Sequence, residues 1–317
     1  MRSSLLMAAT QTGERDGVAI ATLVAGDLDA TFATGAGMVC CSLRERGVEL
    51  LGQRRGLAAY AATGSTMGIP LLHPWANRLA TLRYEQGGRT VQLRPDAQGV
   101  RLDGHGLAIH GLLAGSRDWR VTDLGTDSES ARLVAELRFE RPELLESFPF
   151  AHRLVLSATL APGALTIDLA LRATGDAAVP VAFGFHPYLQ PGGERAALDV
   201  ALPARIGLGL DERGIPTGET LAVDVERGPL GERTFDDLCA VGEEPVAFAV
   251  SGAGRTIVVR FLRGYSFAQV FAPTGQPFVA FEPMTAPVSA LTVPGACPLV
   301  ASYDAAFAVE VGSTMDA

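Results

Sequence analysis

The stretch HRLVLSATLAPGALTIDLALR, residues 152–172, decides the fold class. In its second half Leu165, Ile167, Leu169 and Leu171 alternate with Thr166, Asp168, Ala170 and Arg172. Such alternation places one set of side chains on each face of a half-buried strand. Pro162-Gly163 lies between two runs of this kind, 152–160 and 165–172, and is typical of a turn. The stretch therefore predicts an antiparallel hairpin.

Alternation of the same kind recurs along the chain. Leu133, Ala135, Leu137 and Phe139 share one face of a predicted strand, opposite Arg132, Glu136, Arg138 and Glu140. Residues 83–91 predict a second hairpin, because Gly87-Gly88 can take the positive φ values of a tight turn. Further strands are expected at 255–262, 266–272 and 277–282, and only residues 56–62 indicate a short helix. The pattern predicts an all-β protein, a large antiparallel β-sandwich with very little helix.

Length and composition narrow the domain organisation and the class of partner. No linker, charge block or internal repeat divides the 317 residues, so we expect one domain over 1–317, with a flexible segment at 1–15. Hydrophobic residues at 48% and charged residues at 19% fit a globular protein with a large core. The net charge of −9 argues against a nucleic-acid partner, because phosphate neutralisation needs clustered Lys and Arg. A small-molecule partner is expected instead.

The cysteines and the first ten residues indicate the cellular location of the protein. Cys40, Cys41, Cys239 and Cys297 show no paired spacing, so reduced, buried thiols are expected. The apolar run at 5–9 is too short for a signal segment or a membrane span. We therefore expect a cytoplasmic protein, a monomer or homodimer, with no membrane partner.

Several catalytic motifs are missing from the sequence. None of the five histidines forms an HxH or HExxH pair, so no metal site is expected. The chain also lacks a GxxxxGK[ST] loop, a strand-borne GxGxxG and a GxSxG elbow. Gly104-His105-Gly106 is an isolated fragment, and structural roles are expected for His73, His105 and His152. The sequence therefore gives no support for a nucleotide-binding or serine-hydrolase function.

The remaining polar residues each allow a structural and a functional interpretation. Glu282, in FEPMTAP at 281–287, is either a structural carboxylate or a proton-transfer group whose pKa is raised by apolar neighbours. His186, in FGFHPY at 183–188, lies in a stiff apolar setting that can tune an imidazole, which favours a functional role. The structural interpretation of Asn77-Arg78 is a turn, and that of His110 is a loop residue bonded to backbone. Asp236, beside Asp237, fits a solvated turn.

Taken together, these segments resemble the aldose 1-epimerase (galactose mutarotase) family. Six motifs follow the family's order: NR at 77–78, HG at 110–111, HxY at 186–188, IPTGE at 215–219, FD at 235–236 and EPMT at 282–285. Each motif alone is weak, but six in order are specific. The resemblance implies a β-supersandwich, an isomerase that interconverts the α and β anomers of a hexose, a sugar as the partner, and no metal or organic cofactor.

The resemblance also assigns roles to residues. It implies that Glu282 is the general base and His186 the general acid for opening and reclosing the sugar ring. Binding roles fall to Arg78, Asn77, His110 and Asp236, which meet sugar hydroxyls, and to Tyr188 or Trp75, whose rings can stack on the apolar face of the sugar. A neutral hexose is the expected substrate.

Departures from the family pattern leave two questions open: which sugar is preferred, and whether Asp236 or Asp237 contacts it. HPWA at 73–76 replaces a GRYA-like stretch, and IHGL at 109–112 replaces LHGG; Asp237 adjoins Asp236. An epimerase of hexose 6-phosphates is one alternative, for which Arg54, Arg55, Arg83 and Arg89 are candidate cations. A non-catalytic carbohydrate-binding protein on the same fold is another. A polysaccharide lyase is a weaker one, because no helical partner domain is evident.

Overall fold

The hairpin expected from residues 152–172 is present in the computed structural model, which describes residues 8–313. Its strands cover His152–Ala161 and Ala164–Ala173 and pair without a break from His152↔Ala173 to Ala161↔Ala164. Leu165, Ile167, Leu169 and Leu171 are buried, as the alternation predicts. One face of this hairpin therefore belongs to the core.

The described residues contain 26 strands and two α-helices. In chain order the first strands are β1 (Ala9–Arg15), β2 (Val18–Ala25), β3 (Leu28–Ala33), β4 (Val39–Glu45), β5 (Val48–Glu49), β6 (Leu71–Leu72), β7 (Arg83–Gln86), β8 (Arg89–Gln92), β9 (Arg120–Thr126), β10 (Ala131–Phe139), β11 (His152–Ala161), β12 (Ala164–Ala173) and β13 (Val179–Pro180). The others are β14 (Gly184–Phe185), β15 (Tyr188–Leu189), β16 (Asp199–Leu202), β17 (Arg205–Leu210), β18 (Pro216–Val223), β19 (Glu226–Pro229), β20 (Phe235–Val241), β21 (Val246–Gly252), β22 (Arg255–Arg263), β23 (Phe267–Ala272), β24 (Val279–Met284), β25 (Leu299–Val300) and β26 (Ser302–Ser313). The helices are α1 (Gly56–Thr63) and α2 (Pro142–Leu145), with 3-10 turns at Arg195–Ala197 and Ala290–Thr292.

Two large antiparallel sheets form the body of the molecule. The nine-stranded sheet has the order β19-β16-β21-β22-β26-β12-β11-β10-β9. The eight-stranded sheet has the order β18-β17-β20-β23-β24-β14-β6, with β15 also paired to β24. A five-stranded meander, β1 to β5, and two two-stranded ribbons complete the described strands.

The core lies where the two large sheets face each other. The Phe248 ring of the nine-stranded sheet stacks on Phe281 of the other, with centroids 5.5 Å apart. Phe307 meets Phe185 across the same space at 5.0 Å. All four rings are buried, and burial of this apolar area stabilises the sandwich. The predicted all-β sandwich is confirmed.

Most of the predicted elements are confirmed, and one segment expected to be flexible contains a strand. The second hairpin is β7–β8, with positive φ at Gly87 (53°) and Gly88 (72°), and the short helix is α1. Residues 9–15, expected to be flexible, instead form β1, which pairs along its whole length with β2. Backbone hydrogen bonds to β2 hold it, although most of its side chains are exposed. The rest of the segment, residues 1–7, lies outside the described residues.

None of the helices between residues 8 and 313 has the length and apolar character needed to span a membrane.

The alternation of β24 places one carboxyl group on the far side of its sheet. Phe281 points into the core against Phe248, so Glu282 points to the opposite face. There β24 pairs with β23, with Gln269 opposite Glu282, and with β14 through Gly184↔Met284. All six residues of β24 are buried, because loops cover the outer face of the sheet. The enclosed space between sheet and loops is the candidate site.

Candidate active site

A cavity of about 200 Å³ lies on the outer face of the eight-stranded sheet. Seven of the eight residues proposed from the sequence line it: Asn77, Arg78, His110, His186, Tyr188, Asp236 and Glu282. They come from loops and strands more than 200 positions apart in the chain. A larger surface cleft of about 270 Å³, beside Arg117 and Arg141, has no histidine in its lining. The smaller cavity is therefore the better candidate for proton-transfer chemistry.

Glu282 and His186 meet directly in this cavity. Glu282 Oε1 lies 3.2 Å from His186 Nε2, and the two side chains are 2% and 5% exposed. The His186 amide donates to the Pro70 carbonyl at 3.2 Å, and its ring stacks on Tyr188 at 4.0 Å. Both side chains are thus fixed by strand pairing or ring packing rather than by solvent-exposed loops.

Burial sets the protonation of this pair. It raises the pKa of Glu282 well above its ordinary value, an effect that the charge of Asp236 increases and that of Arg78 opposes. Burial, with the positive charge of Arg54, lowers the pKa of His186 to about 3. Both shifts favour the form of the pair in which Glu282 carries a proton and the His186 imidazole is neutral.

Arg78 is held in place by two neighbours. Its Nε donates to Asp103 Oδ2 at 2.7 Å, and its Nη1 donates to Asn77 Oδ1 at 3.2 Å. Asp103 is itself fixed, because its other oxygen accepts the backbone N–H groups of His105 and Leu107. The arginine therefore presents its guanidinium to the cavity in a defined orientation.

His110 reaches the cavity through an unusual backbone turn. Its φ is +60° and that of Gly111 is +66°, and a Cβ on Gly111 would lie 2.1 Å from the His73 carbonyl oxygen. Only glycine fits this approach. The His110 ring lies edge-on to His186 at 5.7 Å. Burial, with nearby His186, lowers the pKa of His110 well below its ordinary value, so its ring is neutral.

Geometry distinguishes the two adjacent aspartates. Asp236 pairs with Phe271 across β20 and β23, and both line the cavity. Its Oδ1 accepts a hydrogen bond from Gln269 Nε2 at 2.7 Å. Asp237 does not line this cavity but a neighbouring cleft, with Arg205 and Cys239, to which Asp236 also contributes. Asp236, not Asp237, therefore faces the candidate site.

Tyr188 lies at the cavity but Trp75 does not, so the assignment of Trp75 to the site is corrected. Tyr188 hydrogen-bonds Thr66 through its hydroxyl at 2.7 Å. Trp75 forms a bridge with Ala182, is only 1% exposed and belongs to the main core. Burying this large indole in the core stabilises the fold. The buried ring has no access to a ligand.

Of the four arginines that the sequence offers as phosphate-binding candidates, only Arg54 lines the cavity. Arg83 and Arg89 belong to the β7–β8 hairpin. Arg55 is exposed and does not line it. His73 and His152, expected to be structural, form a buried Nε2–Nε2 hydrogen bond of 2.8 Å.

Sequence reasoning missed three residues that shape the site. Thr66 and Gln269 hold Tyr188 and Asp236, but nothing in their local sequence indicates this. Asp103, which fixes Arg78, carries a signal: Asp followed by Gly-His-Gly is typical of a turn in which the carboxylate accepts nearby backbone N–H groups. The fragment at 104–106 is thus part of a supporting turn rather than a nucleotide motif.

Comparison with known proteins gives one family and one fold. A sequence model of the family described as aldose 1-epimerase matches residues 23–298. The chain is 31% identical over 206 residues to a protein of Escherichia coli K12, "Uncharacterized protein YihR"; the match covers 62% of this chain and 58% of that protein.

Solved structures of similar fold cover nearly the whole chain. A galactose mutarotase-like protein from Clostridium acetobutylicum has a TM-score of 0.83 at 16% identity, covering 97% of this chain and 99% of its own. Galactose 1-epimerase from Lactobacillus acidophilus NCFM has a TM-score of 0.77 at 15% identity, with the same coverage. At these identities the likeness shows the fold.

Proposed function

Because the chain belongs to the aldose 1-epimerase family, we propose that it interconverts the α and β anomers of a hexose, with Glu282 as general base and His186 as general acid. The observation that supports this proposal is the contact between Glu282 and His186, at 3.2 Å, inside a cavity that also presents Arg78 and Asp236. The cavity is smaller than the roughly 300–1,000 Å³ clefts that hold drug-sized ligands. It suits a ligand of monosaccharide size.

The reaction needs one proton removed and one delivered. Carboxylate Glu282 takes the proton of the anomeric hydroxyl while imidazolium His186 donates to the ring oxygen. The C1–O5 bond then breaks, C1 becomes an aldehyde carbon, and the C1–C2 bond rotates. On reclosure the ring hydroxyl returns its proton to His186, and Glu282 protonates the carbonyl oxygen on the new face. Each positioned group contributes roughly 10²- to 10⁴-fold in rate.

The resting proton distribution matches the opened form of the sugar. Ring opening leaves protonated Glu282 and neutral His186, which is the distribution that burial favours. A closed sugar requires the proton on His186 instead. Hydrogen bonds from sugar hydroxyls to Glu282 favour its carboxylate form, and Oε2 is buried without a partner among residues 8–313. The contact of 3.2 Å between the two side chains gives that proton a direct path.

The remaining polar groups orient the sugar. Arg78 donates to adjacent hydroxyls, Asp236 accepts from others, and His110 offers a neutral imidazole. Asn77 is 4% exposed and serves chiefly to hold Arg78. Tyr188 supports His186 by ring stacking at 4.0 Å. Binding by these groups places the anomeric oxygen near Glu282.

Polarimetry of freshly dissolved α-D-glucose and α-D-galactose tests the proposal. Wild type should accelerate the approach to anomeric equilibrium, and Glu282→Gln should lose at least about 10² of that acceleration while keeping its far-UV circular dichroism. Glu232→Gln, an exposed surface change, is the matched control and should behave as wild type. Sugar binding without any acceleration by wild type would instead identify a non-catalytic carbohydrate-binding protein.

A further inference from the structure

We propose that the sugar bound at this cavity carries an anionic group, a phosphate or a carboxylate, and that Arg54 binds it. This inference rests on the proposed function and narrows its substrate class. It replaces the neutral hexose expected from the sequence.

Arg54 is held at the cavity by packing rather than by an ion pair. Its guanidinium carbon lies 5.0 Å from the centre of the Tyr188 ring and 5.5 Å from that of Phe278. Arg54 is exposed, whereas Glu282 and His186 are buried deeper in the same cavity. Its φ of 46° is in the left-handed region, where a residue with a side chain is strained, and such strain concentrates at ligand-binding positions.

Arg54 has no counter-ion among the described residues. Arg78 has its counter-ion in Asp103, but none of the carboxylates within residues 8–313 forms a salt bridge with Arg54. Arg101 adds a further positive charge behind the cavity, where its Nη2 donates to the His110 carbonyl at 3.0 Å. An exposed guanidinium that lines the cavity and has no such partner marks a site for an anion.

An anion on Arg54 would also assist the chemistry. The charge of Arg54 opposes protonation of His186, yet His186 must hold a proton to donate it to the ring oxygen. A bound phosphate or carboxylate neutralises Arg54, so it favours transfer of the proton from Glu282 to His186. The anionic group should therefore raise kcat as well as lower KM.

Anomer exchange of α-D-glucose, α-D-glucose 6-phosphate and D-glucuronate, measured by NMR with the uncatalysed rate subtracted, tests the inference. Wild type should prefer at least one of the anionic sugars to glucose by about tenfold or more in kcat/KM, as expected for a charge-assisted contact. Arg54→Gln should reduce that preference about tenfold. The matched variant Arg55→Gln, adjacent and exposed but outside the cavity lining, should keep it within about twofold. The two anionic sugars separate a phosphate site from a carboxylate site.

Two failures are distinguishable. If wild type accelerates glucose but neither anionic sugar is preferred, or if Arg54→Gln leaves the preference unchanged, this inference is wrong and the proposed function stands. If none of the three sugars nor galactose is accelerated, the proposed function itself is wrong. Raised salt supplies an independent readout, because it should weaken the preference for the anionic sugar at the exposed Arg54.

Discussion

Asp236 and Asp237 are adjacent and have the same side chain, but the pleat of β20 points the two side chains in different directions. Asp236 lines the cavity and accepts from Gln269 at 2.7 Å, whereas Asp237 lines only the neighbouring cleft with Arg205, which Asp236 also borders. The alternation of side chains along a strand thus decides which of the two meets a ligand. The sequence pattern FDD at 235–237 left that choice open, because strand phase depends on the partner strand.

This difference predicts opposite outcomes for two conservative changes. Asp236→Asn removes a charged acceptor of sugar hydroxyls, so we expect KM to rise about 10- to 100-fold with a smaller change in kcat. Asp237→Asn should change KM by less than about twofold. Initial-rate polarimetry over a range of sugar concentrations measures both. Equal effects of the two changes would contradict the assignment of Asp236 to the cavity.

At the scale of the elements, the contact between β14 and β24 aligns His186 with Glu282, the proposed acid and base. Gly184 lies against β24, and a Cβ at this position would be 2.6 Å from the Pro283 carbonyl oxygen and 3.1 Å from the Ala76 side chain. His186 follows two positions later and Glu282 precedes Pro283. The close approach of the two strands therefore sets the 3.2 Å separation of Glu282 and His186.

Gly184→Ala should separate these strands. Because the nearest atom is backbone, the strand itself must shift, and overpacking of this kind costs about 1–3 kcal/mol in the free energy of unfolding. We expect a larger loss in kcat than in KM, measured together with urea unfolding. Gly175→Ala is the control, since a Cβ there meets no atom within 4 Å. Unchanged kcat in Gly184→Ala would show that the strand contact does not position the pair.

Local patterns predicted individual elements but not their arrangement. The hairpins at 83–92 and 152–173 follow from alternation and turn residues within a few positions. The place of β26 between β22 and β12 depends on pairing with residues 43 to 58 positions away in β22 and 130 to 146 positions away in β12, which no local pattern contains. Trp75 illustrates the same limit: its aromatic ring suggested sugar stacking, but its pairing with Ala182 buries it.

Arg54 shows the complementary limit. The local sequence indicates only a surface cation beside Arg55. Arg54 reaches the cavity because it packs on Tyr188 and Phe278, which lie far along the chain. By contrast, motifs that combine a reactive residue with its rigid neighbours, such as EPMT and HPY, indicated Glu282 and His186 correctly as cavity residues. Short motifs predict where a side chain is stiff, and tertiary contacts decide what it meets.

At the scale of the whole molecule, buried histidines make stability depend on pH. Burial lowers the pKa of His73 and His110 well below the ordinary value and that of His152 to about 4. His152 Nδ1 donates to the Phe150 carbonyl at 2.7 Å, so its Nε2 accepts from His73 and both rings are neutral. Below pH about 6.5 the unfolded chain binds protons at these residues that the folded protein does not. The free energy of unfolding should therefore fall as pH decreases.

The Glu282–His186 pair adds two slopes of opposite sign. Burial lowers the pKa of His186 to about 3, so its contribution to stability, like that of the other buried histidines, falls as pH decreases below about 6.5. Burial raises the pKa of Glu282 well above its ordinary value, so its contribution to stability falls as pH rises above about 4.3. Between these two pH values the two slopes oppose each other.

His152→Gln tests the origin of the acid limb. A glutamine amide can still accept from His73 but does not titrate, so the slope of the free energy of unfolding against pH should decrease by up to one proton, about 1.4 kcal/mol per pH unit. Urea unfolding at intervals between pH 4.5 and 6.5 measures the slope, which is independent of the overall stability lost by the substitution. His105→Gln, at an exposed turn, should retain the wild-type slope. An unchanged slope in His152→Gln would mean that the buried His73–His152 pair takes up a proton without unfolding.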